Sequence, residues 1–185
     1  ALALEGAGHS VAVVDGDLRR PTLHRYFGLS APADGLSSLI ADGVEDPDRA
    51  LVRQGRLALL PAGPVPPNPG DLLDSPVLKL VLQKLEERFD VGLIDSPPAS
   101  MFADAQVLAG LAGSALLVAR AGVATRTHIA ASVSALARAG CRLSGAVLNG
   151  AAPQAGMAYY DYYYSSGEKP EKASAPETAA AKSGS

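Results

Sequence analysis

Two aspartates placed straight after one short apolar run constrain this chain more than any other feature. The run is Val11-Ala12-Val13-Val14, and Asp15-Gly16-Asp17-Leu18-Arg19-Arg20-Pro21 follows it directly. Four apolar residues, mostly β-branched and bracketed by Gly8 and Gly16, are too few for a helix. They read as a strand buried on both faces, the kind found at the centre of a parallel sheet. Asp15 and Asp17 then stand at its carboxyl end, the edge of an open α/β sheet where ligands bind. Two carboxylates separated by a glycine can both face a hard cation that takes oxygen ligands, although the same tripeptide also suits an ordinary turn with solvated acids.

A second run, Val91-Gly92-Leu93-Ile94, also ends in an aspartate, Asp95, and passes into Ser96-Pro97-Pro98. A hydrophobic strand that delivers one carboxylate beside a nucleotide's magnesium has this form. The two strands together therefore point to a phosphate and metal site.

The rest of the chain fits an α/β domain. Ala1 to Gly8 reads as the last turns of a helix stopped by glycine, with no start signal before it. Gly35 to Ile40 reads as a short helix ending near Gly43, and Leu57-Ala58-Leu59-Leu60 as a buried strand broken by Pro61. Gly63 to Gly70, rich in proline, reads as a stiff extended loop. Asp74-Ser75-Pro76 supplies a cap and a first-turn proline for an amphipathic helix with Leu78, Val81, Leu82, Leu85 and Phe89 on one face. Further helices are expected over Ala103 to Leu111 and Thr127 to Ala139, with strands at Ala115 to Val118 and Ala146 to Leu148, the latter leading to Asn149. This alternation means βαβ units: an α/β fold with a mostly parallel sheet and helices on both faces.

Composition limits the classes of function. With 185 residues, 48% hydrophobic content and a net charge of -3, the chain suits one buried domain, residues 1 to 150, and a tail, 151 to 185. No apolar run approaches the roughly 20 residues of a membrane helix, and the near-neutral charge argues against a nucleic-acid partner. The lone Cys141 excludes an internal disulfide and reads as a small residue at the edge of the core. From Ser165 to Ser185 no large aliphatic residue occurs, which predicts disorder. Just before it lies Tyr159-Tyr160-Asp161-Tyr162-Tyr163-Tyr164, five of the six tyrosines in the chain. Without alternation they have no buried face; a sticky aromatic edge is one reading, and a modification cluster is the preferred one.

These stretches together resemble the cytoplasmic catalytic domain of the bacterial tyrosine kinases that couple to capsule or exopolysaccharide export. The family's Walker A-prime motif matches Val11 to Pro21 and its Walker B motif matches Val91 to Pro98. Its proline-rich loop and following helix match Leu60 through Leu73, and its tail tyrosine cluster matches Tyr159 to Tyr164. The first two motifs are shared with the wider partitioning-type ATPase superfamily; the last two carry the narrower resemblance.

The resemblance implies an autophosphorylating protein tyrosine kinase using ATP and Mg2+. Asp15 would accept the tyrosine hydroxyl proton, Asp17 and Asp95 would hold magnesium, and Tyr159, Tyr160, Tyr162, Tyr163 and Tyr164 would be the autophosphorylation sites. Arg19 or Arg20 either steadies phosphate charge or is simply solvated, and Asn149 either touches the adenine or ends its strand in a turn. The implied partners are a membrane activator or chain-length regulator, other copies of the chain in a homo-oligomer and a cognate tyrosine phosphatase. The implied location is the cytoplasmic side of the plasma membrane.

One part of the family pattern has no counterpart. No Gly-x-x-x-x-Gly-Lys-[Ser/Thr] phosphate loop occurs in the sequence. The expectation is a domain whose first strand and phosphate loop are missing, with that loop's lysine roughly eight residues before Ala1. A partitioning-type ATPase switch, or a non-catalytic interaction module whose tail is another kinase's substrate, remain the competing readings.

Overall fold

The computed structural model describes residues 1–151, and Ala1–Asn149 form one compact unit. The tyrosine cluster lies outside the described residues. At the centre is β1 (Val11–Asp15), buried at every position. It pairs in parallel with β3 (Leu57–Leu60) on one side and β4 (Val91–Asp95) on the other. Because side chains alternate along a strand, Val11 and Val13 face one layer, and Ala12 and Val14 face the other. Val11 and Val13 pack with Leu57 and Leu59 beneath Leu4 of α1 (Leu2–Gly6) and beneath Leu23 and Phe27, which flank and begin α2 (Leu23–Tyr26). Ala12 and Val14 meet the larger cluster, formed by α3 (Leu36–Ala41), α4 (Pro69–Leu73), α5 (Pro76–Glu86) and α6 (Asp104–Ala112).

The sheet is not wholly parallel. β2 (Val52–Gln54) pairs antiparallel with β3 at the outer edge, giving the order β2-β3-β1-β4. This strand was not expected from sequence: a short stretch with a charged and an amide side chain has little pattern of its own, and the backbone of β3 recruits it. β5 (Ser114–Arg120) and β6 (Arg142–Asn149) form a separate parallel pair, bridged by α7 (Arg126–Arg138). The single continuous sheet implied by the strand–helix rhythm is thus two sheets. Between β4 and β5 lies a groove of about 510 Å³, lined by Ile94, Asp95, Leu108, Leu116, Val118 and Leu136. Cys141 is buried beside Ala109 and Leu136, at the edge of the core.

The proline segment departs from a plain extended loop. Pro69 and Gly70 open α4 behind Asn68, since proline's fixed φ and missing N–H suit the first helical position. Upstream, the loop is strapped to the start of α3: Leu36 N–H donates to the Pro61 carbonyl at 2.8 Å and Ser37 N–H to that of Ala62 at 2.8 Å. Gly63, at φ 79°, passes so close to Gly35 that a side chain on either would strike the other's backbone.

In α5, Ser75 caps the first turn by accepting from Val77 N–H, and the expected apolar face is buried at Leu78, Val81 and Leu85. Leu80 points away and is 36% exposed, whereas Leu78 is fully buried. Leu78→Ala is therefore expected to cost about 2–5 kcal/mol in urea unfolding, and Leu80→Ala no more than about 0.5 kcal/mol. Equal losses would mean that α5 packs through a different face.

Candidate functional site

The parallel register sets Asp15 directly opposite Asp95, so the last residues of two neighbouring strands are both carboxylates. Strands in such a pair lie about 4.8 Å apart. The chain turns off β1 at Gly16, whose N–H donates to the Asp95 carbonyl at 2.9 Å. A Cβ at Gly16 would sit 2.6 Å from that same carbonyl oxygen and 2.8 Å from Leu108, so the glycine between the two acids is required by close approach.

Each carboxylate has a different environment. Asp15 is fully buried; its Oδ2 accepts from Leu23 N–H at 3.1 Å, and its Oδ1 has no hydrogen-bond partner. Burial first, then the charges of Asp95 and Asp17, push its carboxyl above the ordinary value, against the pull of the Leu23 and Asp17 amides. Asp17 is half-buried and turns one oxygen, Oδ1, to the backbone, accepting from Arg19 N–H at 3.1 Å and Arg20 N–H at 2.9 Å. Asp95 also lies above its ordinary value, raised by surrounding protein mass and then by the charge of Asp17, although its surface stays open to water, which screens both effects.

A divalent cation fits this set. Three carboxylates stand at one corner, two of them held above their ordinary values by burial and then by neighbouring acid charge, and one buried oxygen lacks a donor. Among the described residues no three His, Cys, Asp or Glu side chains form a ready-made cage. Magnesium is commonly held by one or two carboxylates completed by water and phosphate oxygens, so a donor set of this kind suits it.

Arg19 belongs to the same corner but faces elsewhere. Its Nε lies 2.7 Å from Asp104 Oδ2 and its Nη2 2.9 Å from Oδ1, while its guanidinium stacks 4.5 Å from the centroid of the Phe102 ring. Arg20 is exposed. Asn149 is the exposed last residue of β6, its carbonyl accepting from Ala121 N–H. The structure thus gathers Asp15, Asp17, Asp95 and Arg19, and leaves Asn149 at a strand end of the second sheet. Asp104 and Phe102 escaped the reading from sequence: an aspartate in the first turn of a helix looks like an ordinary partner of the helix dipole.

No protein-family model matches the chain. Among curated proteins it is similar to the tyrosine-protein kinase CapB of Staphylococcus aureus, 35% identical over 158 residues, covering 85% of this chain and 69% of that protein. It is also 34% identical over 161 residues to the tyrosine-protein kinase etk of Escherichia coli, covering 86% of this chain but only 22% of the relative. Among solved structures, the kinase domain of Escherichia coli tyrosine kinase ETK superposes with a TM-score of 0.76 at 32% identity, over 82% of this chain and 60% of that one. The septum site-determining protein MinD of Pyrococcus horikoshii, complexed with Mg-ADP, superposes with a TM-score of 0.66 at 26% identity, over 80% and 60%.

The raised values of Asp15 and Asp95 have a signed consequence for stability. From about pH 4 up to those native values the folded chain binds more protons than the unfolded one, so stability falls as pH rises through that window and returns as pH falls back. Asp15→Asn should accordingly raise the melting temperature at pH 7 by a few degrees, the scale of ~1 kcal/mol in a chain of this size, and flatten its pH dependence. Melting curves that leave the variant no more stable than the parent would remove the strain assigned to this buried charge.

Proposed function

The chain belongs to the bacterial tyrosine kinases, and on that premise we propose that it is the catalytic module of an ATP- and Mg2+-dependent kinase that phosphorylates the tyrosines of its own tail. The observation that carries this reading is the meeting of Asp15, Asp17 and Asp95 at the ends of two paired parallel strands. Magnesium, bound with ATP, would supply positive charge to offset the charge that develops during transfer. Asp17, with Oδ2 left over by its two backbone donors, and the open Asp95 are the residues proposed to face the ion. Asp15 is proposed to accept the tyrosine hydroxyl proton. Its unpartnered Oδ1 has free lone pairs, and a carboxyl raised above its ordinary value is a stronger base.

The phosphates also need a cradle of backbone amides and a lysine, which these 185 residues do not contain in Walker form. The groove between β4 and β5, with a strand edge on either side, is the proposed seat of a strand that leads into such a loop. Asn149 is proposed to contact the adenine. The tail tyrosines Tyr159, Tyr160, Tyr162, Tyr163 and Tyr164 are the proposed acceptors, presented to a neighbouring copy. Each phosphate adds about -1.5 to -2 charge, so several beside Asp161 repel one another and drive the tail from the adjacent site. Capsule or exopolysaccharide export is the proposed process, with a membrane activator and a tyrosine phosphatase as partners. Among the described residues no helix is long and apolar enough to cross a membrane. Membrane placement is proposed to come from the activator.

The likeness to MinD favours one other reading, a nucleotide-driven positional switch, which requires no phosphotyrosine. Incubation of the protein expressed from its whole reading frame with labelled ATP separates the two: tail phosphotyrosine is expected, and ATP hydrolysis without it would overturn the kinase reading. In the same assay Asp15→Asn should lower the transfer rate by about 100-fold or more while leaving nucleotide affinity nearly intact. Replacing the five tail tyrosines by Phe should abolish most of the label without changing ATP binding. Label retained mainly on Tyr26, which is 83% exposed on α2, would show that the tail is not the acceptor.

A further inference from the structure

Asp104 is 3% exposed, and no step of the proposed reaction uses it. Its carboxylate takes both arms of the Arg19 guanidinium, at 2.7 and 2.9 Å, and Phe102 covers the flat face of that guanidinium at 4.5 Å. An ion pair this buried on one side is weak evidence of stabilisation, because desolvation consumes much of the attraction. What a bidentate fork does supply is orientation, since the planar guanidinium meets a carboxylate in one geometry only.

The same Arg19 holds Asp17. Its backbone N–H donates to Asp17 Oδ1 at 3.1 Å, and Arg20 N–H donates to that oxygen at 2.9 Å. Between them Leu18 is fully buried, so the turn cannot swing as a unit. The side chain of Arg19 is thereby tied to the start of α6, while its backbone fixes which oxygen of Asp17 is occupied and which is free. The tie also joins the segment after β1 to the segment after β4, the two strands that end in Asp15 and Asp95.

We propose that Asp104 is a positioning residue: through Arg19 it locks the Asp17 turn, so that Asp17 Oδ2 is presented to the magnesium ion beside Asp95. The proposal rests on the magnesium-dependent kinase reading, and it makes Arg19 a strut within the protein instead of a phosphate contact.

The test uses the protein expressed from its whole reading frame, with a fluorescent ADP titrated with and without Mg2+, and amide hydrogen exchange followed at Arg19, Arg20 and Val13. Asp104→Asn is expected to raise the Mg2+ concentration for half-maximal nucleotide binding by about tenfold or more, while metal-free affinity stays within about twofold. Exchange at Arg19 and Arg20 should quicken by about tenfold, with Val13 unchanged. Arg19→Lys keeps the charge but loses the fork, so it should match Asp104→Asn, and the double variant should be no worse than either alone. Asp104→Glu, which keeps a carboxylate, should recover part of the Mg2+ response.

An unchanged Mg2+ requirement alongside faster exchange would reduce the pair to a staple and overturn the proposal. So would an equal loss of metal-free affinity in Arg19→Lys, which would put Arg19 on the phosphate. If Asp104→Asn does not fold, Arg19→Lys carries both readouts. If the unaltered protein shows no Mg2+-dependent nucleotide binding, the kinase reading falls. That outcome overturns the present proposal as well, whereas an unchanged Mg2+ requirement confined to the variants overturns the proposal and leaves the kinase reading standing.

Discussion

The parallel pairing of β1 with β4 is the constraint on which the rest of this structure depends. Backbone hydrogen bonding fixes the register, and the register sets Asp15 opposite Asp95 at the strand ends. Left to electrostatics, two carboxylates would avoid such a placement, because like charges opposite each other repel. The opposing force is the burial of Val11 to Val14 on both faces, between α1 and α2 on one side and α3 to α6 on the other. Hydrophobic burial is nondirectional and roughly proportional to area, so it can hold a strand in place regardless of the charges at its tip. Gly16 then removes the one steric obstacle by letting the chain turn flat against the Asp95 carbonyl.

That balance explains what was legible in the sequence. β1, β3 and β4 announce themselves as short apolar runs, and the acids that end β1 and β4 as strand-end residues; full burial writes a continuous hydrophobic signature at β1 and β3, whereas β4 is only partly buried. α5 is equally plain from its capping serine and the spacing of Leu78, Val81 and Leu85. β2 is silent because Val52-Arg53-Gln54 owes its extended form to the free edge of β3 and not to its own side chains. α4 hides behind prolines that read as a loop until Asn68 and Pro69 are seen to form its start. The division into two sheets is silent too, since strand–helix alternation carries no information about which edges meet.

Within the site, residue type and spacing pointed to Asp15 and Asp95, which stand immediately after apolar runs, and to Asp17, one glycine beyond Asp15. The contact of Arg19 with Asp104 joins positions 85 apart in the chain and leaves no periodic trace. Arg19 was visible as a cation near phosphate chemistry; that its charge faces inward could be learned only from the packing of α6 against the turn.

The direction of that guanidinium decides the electrostatic character of the site. An arginine two residues from Asp17 is the nearest available neutraliser for the carboxylate group, and on Asp17 it would remove much of the site's attraction for a cation. Asp104 diverts it. With Arg19 paired to a buried partner and stacked on Phe102, its hydrogen bond to Asp17 comes from the backbone N–H, and its guanidinium charge acts on Asp17 only from a distance. Burial first, and then neighbouring carboxylate charge (Asp95 and Asp17 on Asp15, Asp17 on Asp95), holds both groups above their ordinary values, so the fold keeps a strained acidic corner. Such a corner is unfavourable for the chain alone and favourable once a divalent ion arrives, because the repulsion relieved on binding adds to affinity. On the proposed reading, stability given up at one strand end is returned when a cation binds there, and the side chain that draws the guanidinium away is Asp104, an aspartate outside the site itself.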